Sequence, residues 1–211
     1  MADIRQIYLT AAESAVTLLH DPAVAAAWDK PSALTEFSVA GLAGHLAHQL
    51  VRVADALESD ATREPVSLLD HYTMSPWVQA GLDHESNVGI RRAGEASAAG
   101  GAAALAAGTA ELLERQRVAL PAEPAGRVVH LASSGWSLRL DDFLLTRVME
   151  LVVHSDDLAA SVGVDTPELP SAVIDPVVEL LARLAVHRHG ATAVIRALSR
   201  TERAPATISA F

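Results

Sequence analysis

Cysteine is absent from the 211-residue chain. Disulfide bonds, a cysteine nucleophile and a cysteine-ligated metal site are therefore excluded, and any thiol chemistry needs a small-molecule thiol. Lysine is nearly absent as well, since Lys30 is the only one, and the arginines form no basic run. Because the net charge is −10, the sequence offers no basic face for nucleic acid or for anionic lipid. We expect neither nucleic acid nor membrane as a partner.

Aromatic residues make up only 4% of the chain, whereas apolar residues make up 50%. The core must therefore be built from alanine, valine and leucine, a composition that favours closely packed helices over aromatic-rich strands. No apolar run reaches the length of a membrane span and the N-terminus has no signal-peptide pattern, so we expect a cytoplasmic protein. Glycine-rich phosphate loops and the G-x-S-x-G and H-E-x-x-H patterns are also missing, which leaves nucleotide binding and serine hydrolysis without local support.

Apolar residues at helical spacing predict an all-α protein with one small β-hairpin. The hairpin is expected over 127–140. The third helix has a candidate break near Gly100-Gly101 and is expected to end at Pro121 and Pro124. The predicted helices cover about 3–20, 38–57, 85–118, 141–161, 171–188 and 191–201.

The four long helices predict a bundle that comprises residues 1–163, and the last two predict a short helical C-terminal extension, residues 164–211. Short helical fragments are expected in the polar segment 59–84. Helical bundles commonly hold metals between side chains that face each other across the core. Polar residues of the long helices are therefore the candidates for a site.

The fourth long helix carries Arg147, Glu150, His154 and Asp157 within an arc of about 80°. Glu150 and His154 are four residues apart, so their side chains lie one turn above the other and can bind one metal. A zinc site needs a third protein ligand, which leaves a fourth position open for water or substrate. The alternative is that this stripe is simply the solvated face of a surface helix.

His45 is the better candidate for the third ligand, and His48 the weaker one. Both lie on the second long helix, but His45 is at the edge of its apolar stripe and His48 is on the far side. An edge residue can turn towards a neighbouring helix, whereas the far side is expected to meet solvent. A lone histidine at such an edge is also compatible with ordinary packing.

Two segments resemble the motifs of a known family. The first is Phe37-Ser-Val-Ala-Gly-Leu-Ala-Gly-His45-Leu, and the second is Arg147-Val-Met-Glu150-Leu-Val-Val-His154-Ser-Asp-Asp157-Leu158. They are similar to motifs of the N-terminal domain of mycothiol-dependent maleylpyruvate isomerases, within the DinB/YfiT-like four-helix bundles. The resemblance spans roughly residues 5–163. Phe37 stands where the family usually has tryptophan, and Ala40-Gly41 replaces its usual acidic position.

The resemblance implies a DinB-like four-helix bundle with His45, Glu150 and His154 as metal ligands, zinc as the divalent metal and mycothiol as co-substrate. The segment from 189 to the end is similar to the short C-terminal extension of actinobacterial members. The isomerase proper has a larger C-terminal domain that supplies a catalytic arginine. The extension here offers three candidates for that role: Arg188, Arg196 and Arg200.

The first functional hypothesis is a thiol-dependent enzyme, either an isomerase or an S-transferase. Zinc would lower the pKa of a bound small-molecule thiol, and the thiolate would add to a small electrophilic substrate or displace a leaving group. Addition to a double bond, rotation and elimination would produce cis–trans isomerisation. Arg147 and Asp157 would orient the ligands.

Two other hypotheses remain open from the sequence. One is a binding or regulatory module, a metal-stabilised bundle without turnover, which the short extension favours. The other is a metal-free structural bundle, which would need His45 far from the fourth helix. Arginines of 188–200 around the metal would favour the enzyme over the binding module.

Overall fold

The computed structural model describes residues 3–60 and 63–211. In this part of the chain the secondary structure is almost entirely helical, with one two-stranded antiparallel sheet. The elements are α1 Ile4–Leu19, α2 Pro22–Ala26, α3 Val39–Glu58, α4 Leu68–Thr73, α5 Pro76–Gln79, α6 Glu85–Ala98, α7 Ala102–Ala122, β1 Val128–Leu131, β2 Trp136–Arg139, α8 Leu140–Val162, α9 Ser171–His189, α10 Ala191–Ser199 and a short 3-10 turn, Thr201–Arg203.

The helices begin and end where the sequence supplies the necessary caps. Asp3 accepts a hydrogen bond from the backbone N–H of Arg5 at the start of α1, and the Ser38 hydroxyl accepts one from Gly41 at the start of α3. At the end of α8, Gly163 adopts a left-handed conformation with φ 75°. These boundaries agree with the prediction to within two residues, as do those of α9 and α10.

The long helices bury one continuous core of leucine, valine and alanine. Helix α1 packs against α7 and α8, and α3 packs against α6, α7 and α8. Helix α9 packs on α8 and α1, and α10 packs on α9. The predicted fold class, an all-α bundle with a helical C-terminal extension, is thus confirmed. No helix in the described residues is both long and apolar enough to cross a membrane.

The third predicted helix is two helices, because the chain breaks at Gly100-Gly101, where Gly101 has φ 85°. The segment was predicted to end at Pro121 and Pro124, and α7 does end between them, since it passes through Pro121 and stops at Ala122. The buried Leu120 side chain anchors the last turn, and the Arg5 guanidinium donates to the Leu120 carbonyl oxygen at 3.0 Å. These contacts stabilise a turn that a proline alone would disfavour.

The predicted hairpin is confirmed as β1 and β2, with His130 opposite Ser137 and Leu131 opposite Trp136. Its first strand contacts α3 and both strands contact α8. The sheet thereby closes one end of the space between these two helices, and it brings Ser133 and Trp136 to that end.

Helices α3 and α6 approach each other at glycines, with almost no side chain between the two backbones. A Cβ atom at Gly44 would overlap the carbonyl oxygen of Gly94, and one at Gly94 would overlap the carbonyl oxygen of Gly41. A Cβ at Gly94 would also lie 3.3 Å from the backbone nitrogen of His45. The position of His45 in the bundle therefore depends on these glycines.

Substitution Gly94→Ala is expected to destabilise the protein by about 1–3 kcal/mol, because the added methyl meets backbone atoms that cannot move independently. Gly89→Ala is the matched control on the same helix, where a Cβ has nothing within 4 Å. There alanine should stabilise by about 0.5–1 kcal/mol. Thermal unfolding of both variants checks the pair, and equal melting temperatures would contradict the proposed close approach.

Candidate metal centre

The polar stripe of α8 faces the interior of the bundle. Arg147 is 7% exposed and Glu150 is 9% exposed. Helix α8 lies among α1, α3 and α9, so its polar residues meet α3 instead of water. The alternative that this stripe is a solvated helix face was therefore wrong.

The structure brings His45 of α3 together with Glu150 and His154 of α8. Glu150 Oε2 lies 3.5 Å from His45 Nε2 and 3.2 Å from His154 Nε2. One ligand atom from each residue lies within 4.8 Å of the other two. The hypothesis of a bundle with His45 far from the fourth helix is thus excluded by the geometry.

The donor set and its spacing fit a divalent metal. Two imidazoles and one carboxylate form the His₂Glu set of catalytic zinc sites, in which the fourth position is open. Bonds near 2.0 Å place the ligand atoms of a tetrahedral site about 3.3 Å apart, and the two measured separations lie on either side of this value. The three side chains are 12% to 16% exposed, so the cluster is largely buried but retains some contact with solvent.

Asp157 holds the ring of His154 from the opposite edge. Its Oδ2 atom lies 2.9 Å from His154 Nδ1. The hydrogen bond places a proton on Nδ1 and leaves Nε2, the atom that faces Glu150, as the metal-binding nitrogen. Asp157 thus contacts a candidate ligand directly, and its role in orienting a metal ligand stays a prediction.

Gln49 is a site residue that the sequence analysis missed. Its side-chain NH₂ group donates to the carbonyl oxygen of His45 at 2.9 Å and lies 3.3 Å from His45 Nε2. Arg147 Nη1 donates to Gln49 Oε1, and Arg147 Nε donates to the Thr146 hydroxyl. Within the described residues, Arg147 makes no hydrogen bond to Glu150 itself, so it contacts the ligand set through Gln49.

The titration of the three candidate ligands follows from their contacts. Burial acts to raise the pKa of Glu150, but hydrogen bonds from His154 and His45 outweigh it and hold that pKa well below its usual range. Burial lowers the pKa of His45. Burial also acts to lower the pKa of His154, but the hydrogen bonds to Asp157 and Glu150 dominate and raise it to about 9. Without metal, His154 therefore carries the extra proton at neutral pH.

The three arginines proposed from the C-terminal extension are exposed on α9, on α10 and just after it: Arg188, Arg196 and Arg200. In the described part of the chain, no hydrogen bond or ion pair joins them to the three candidate ligands. Arg200 donates to the carbonyl oxygen of Ser199 instead. His48, expected to meet solvent, is only partly exposed, and burial lowers its pKa.

Two further residues lie in the electrostatic field of the site, His71 on α4 and Arg52 on α3. Trp136 Nε1 donates to His71 Nδ1 at 3.1 Å, so the ring proton of His71 is on Nε2. Burial, and then the charges of Arg147 and Arg52, lower the pKa of His71 to about 4. A buried histidine in a short helix after an irregular segment gave no sequence signal. Arg52 did have a sequence signal, because a residue seven positions after His45 lies on the same face of the helix.

Comparison with known proteins gives one result. A family model described as the mycothiol maleylpyruvate isomerase N-terminal domain matches residues 9–159. The matched region contains all three candidate ligands together with Gln49 and Asp157. Neither the curated proteins nor the solved structures provide a match.

Proposed function

The chain belongs to the family of the mycothiol maleylpyruvate isomerase N-terminal domain, and on this premise we propose that it is a metal-dependent enzyme that uses a low-molecular-weight thiol. Mycothiol is the proposed thiol, and the reaction is an isomerisation or an S-transfer on a small electrophile. The observation that carries the proposal is the cluster of His45, Glu150 and His154, which combines catalytic-zinc ligands with some contact with solvent.

The residues of the cluster would hold zinc or another divalent metal through His45 Nε2, His154 Nε2 and a Glu150 carboxylate oxygen. When bound, the metal supplies a Lewis acid that lowers the pKa of a coordinated thiol. Glu150 remains ionised in the metal-free protein, so it is ready to accept a cation. His45 is neutral at pH 7 because burial lowers its pKa, so its ring carries no positive charge that would oppose a cation.

The surrounding residues fix the orientation of these ligands. Asp157 holds the His154 ring through Nδ1, and Gln49 contacts both the backbone and the ring of His45. Arg147 holds the Gln49 amide by donating to its oxygen, which directs the amide nitrogen towards His45. Such supporting contacts commonly change metal affinity by about 10- to 100-fold when they are removed.

A second candidate function is a ligand-binding or regulatory bundle without turnover. An apolar groove of about 520 Å³ favours it, because this groove lies between α4 and α9 and contains none of the three candidate ligands. Leu69, Leu180 and Val186 are among its lining residues. A ligand bound there would have no access to the chemistry of the metal cluster.

Cobalt substitution tests the enzyme proposal. The protein is loaded with cobalt(II) and titrated with mycothiol or a simpler thiol, and a sulfur-to-cobalt charge-transfer band is expected because the open position accepts a thiolate. Turnover is then assayed with electrophilic alkenes and leaving-group substrates.

The matched control for this experiment is the His48→Ala variant, which retains all three ligands and should show the same band. Glu150→Gln should weaken the band, because it removes the only carboxylate of the ligand set. If cobalt-loaded protein shows no band with any thiol at millimolar concentration, the thiol-dependent enzyme is excluded and the binding module becomes the better explanation.

A further inference from the structure

Arg52 lies on the same face of α3 as His45. Seven residues separate the two, which corresponds to an angular difference of about 20° and to about 10 Å along the helix axis. Gln49 lies between them on this face and contacts His45. His45, Gln49 and Arg52 thus form a row along α3. At the far end of this row, Arg52 Nη2 donates to the hydroxyl of Ser133, which lies in the turn of the hairpin, at 3.1 Å. The row therefore runs from the metal cluster to the hairpin.

The guanidinium groups of Arg52 and Arg147 have no carboxylate partner. In residues 3–60 and 63–211, no carboxylate oxygen lies within 4.0 Å of either group. Two other partly buried arginines are compensated. Arg5 pairs with Asp141 and Arg127 with Glu123, and both also donate to backbone carbonyl groups. Arg52 and Arg147 thus differ from Arg5 and Arg127 in lacking a carboxylate partner.

The two cations repel each other across the site. Burial, and after it the charge of Arg147, lowers the pKa of the Arg52 guanidinium to about 10. At this pKa the Arg52 guanidinium remains charged at neutral pH. Partly buried, uncompensated charges destabilise a fold, and in a chain of net charge −10 carboxylates are plentiful. Partly buried arginines without a carboxylate partner are candidates for function, because an incoming anion would supply the negative charge that the fold does not.

We propose that Arg52 is the residue that recognises the substrate, by binding a carboxylate at the end of a small electrophile whose reacting end lies at the metal cluster. This inference rests on the proposed function for the identity of the reacting end. The planar guanidinium presents two parallel N–H donors that match a carboxylate. The Arg147 charge, halfway along the row, favours the same anion.

The test measures the binding of maleate, a small unsaturated dicarboxylate, to the metal-loaded protein by isothermal titration calorimetry. Arg52→Gln should weaken binding by about tenfold or more, because hydrogen bonds to a charged group are among the strongest in proteins. Arg203→Gln is the control, an exposed arginine that pairs with Glu202 in the 3-10 turn, and it removes the same charge. Its affinity for maleate should equal that of the wild type.

Stability and metal content are measured on the same samples. Arg52→Gln should retain the metal and the cobalt–thiolate band, with a melting temperature equal to or above that of the wild type, because the repulsion with Arg147 is relieved. If Arg52→Gln does not fold, Arg52→Lys decides, since it keeps the charge but loses the planar fork. Weaker maleate binding by this variant supports the proposal, and unchanged binding overturns it.

Three results overturn the proposal. The first is a wild-type protein that binds no maleate at millimolar concentration, and the second is equal affinities of the Arg52→Gln and Arg203→Gln variants. The third is a melting temperature that falls only in Arg52→Gln while its affinity for maleate is unchanged. Mercaptoacetate, a thiol with its own carboxylate, is titrated in parallel. If the affinity for mercaptoacetate depends on Arg52 and the affinity for maleate does not, Arg52 binds the carboxylate of the thiol. That result overturns the assignment of Arg52 to the substrate. Loss of the metal from the wild type would instead count against the proposed function.

Discussion

Replacement of either imidazole ligand by alanine, in His45→Ala or His154→Ala, is expected to remove nearly all of the bound metal. Each change leaves two protein ligands where a zinc site needs three, and the loss in affinity should exceed the roughly 10- to 100-fold effect of removing a supporting residue. Elemental analysis after dialysis against a weak chelator, together with native mass spectrometry, gives the metal content. The wild type should carry about one divalent ion per chain, most of it zinc.

His48→Ala is the control for these variants, because His48 lies on the same helix and is likewise partly buried. It should retain the full metal content. The bundle has a large apolar core that is independent of the site, so all three variants should keep the helical circular dichroism of the wild type. Full metal in His45→Ala, or loss of metal in His48→Ala, would contradict the assignment of the third ligand.

The second large effect concerns Asp157→Asn, and it depends on pH. In the metal-free protein the pKa of His154 is raised to about 9, so the metal must displace about one proton at pH 7. Affinity of the wild type should therefore rise from pH 7 to pH 9, because less of His154 is protonated at the higher pH. His45 contributes no such proton, since burial lowers its pKa.

The asparagine variant loses the charge that stabilises the proton, and its neutral amide orients the ring less strongly than the carboxylate does. At pH 9 it should bind metal about 10- to 100-fold more weakly than the wild type. At pH 7 the difference should be smaller, because the wild type must then displace a proton that the variant holds less tightly. Calorimetry in buffers of different ionisation enthalpy measures both the affinity and the protons released. Asp156→Asn, on the exposed neighbour, is the control, and a pH-independent affinity of the wild type would refute the argument.

The boundaries of the long helices were largely predictable from the sequence, because the residues that cap a helix lie next to its ends. Ser38 before an apolar run and Gly163 after one have the cap geometries that their sequence positions predicted. Pro121 shows the limit of local rules. The helix continues through Pro121 where Leu120 is buried and its carbonyl oxygen accepts a hydrogen bond from Arg5, which lies near the N-terminus. No pattern around residue 121 contains that contact.

The site was predictable to the extent that its residues repeat at helical spacing. Glu150 and His154 follow from one helix, whereas the choice of His45 over His48 needed the edge of an apolar stripe and the family resemblance. Gln49 and Arg52 were missed although they lie four and seven residues after His45. Helical spacing does not tell whether residues on one face of α3 point to solvent or to a neighbouring helix. The packing of α3 on α8, which also buries Arg147, determines that.

The division of the ligands between α3 and α8 has a consequence for biosynthesis. His45 leaves the ribosome 105 residues before Glu150, an interval of about 5–20 s at ordinary rates of translation. Throughout that interval the site lacks two of its three ligands, so the growing chain cannot retain the ion. Loading of the proposed metal would therefore have to follow the synthesis of α8 and its packing on α3.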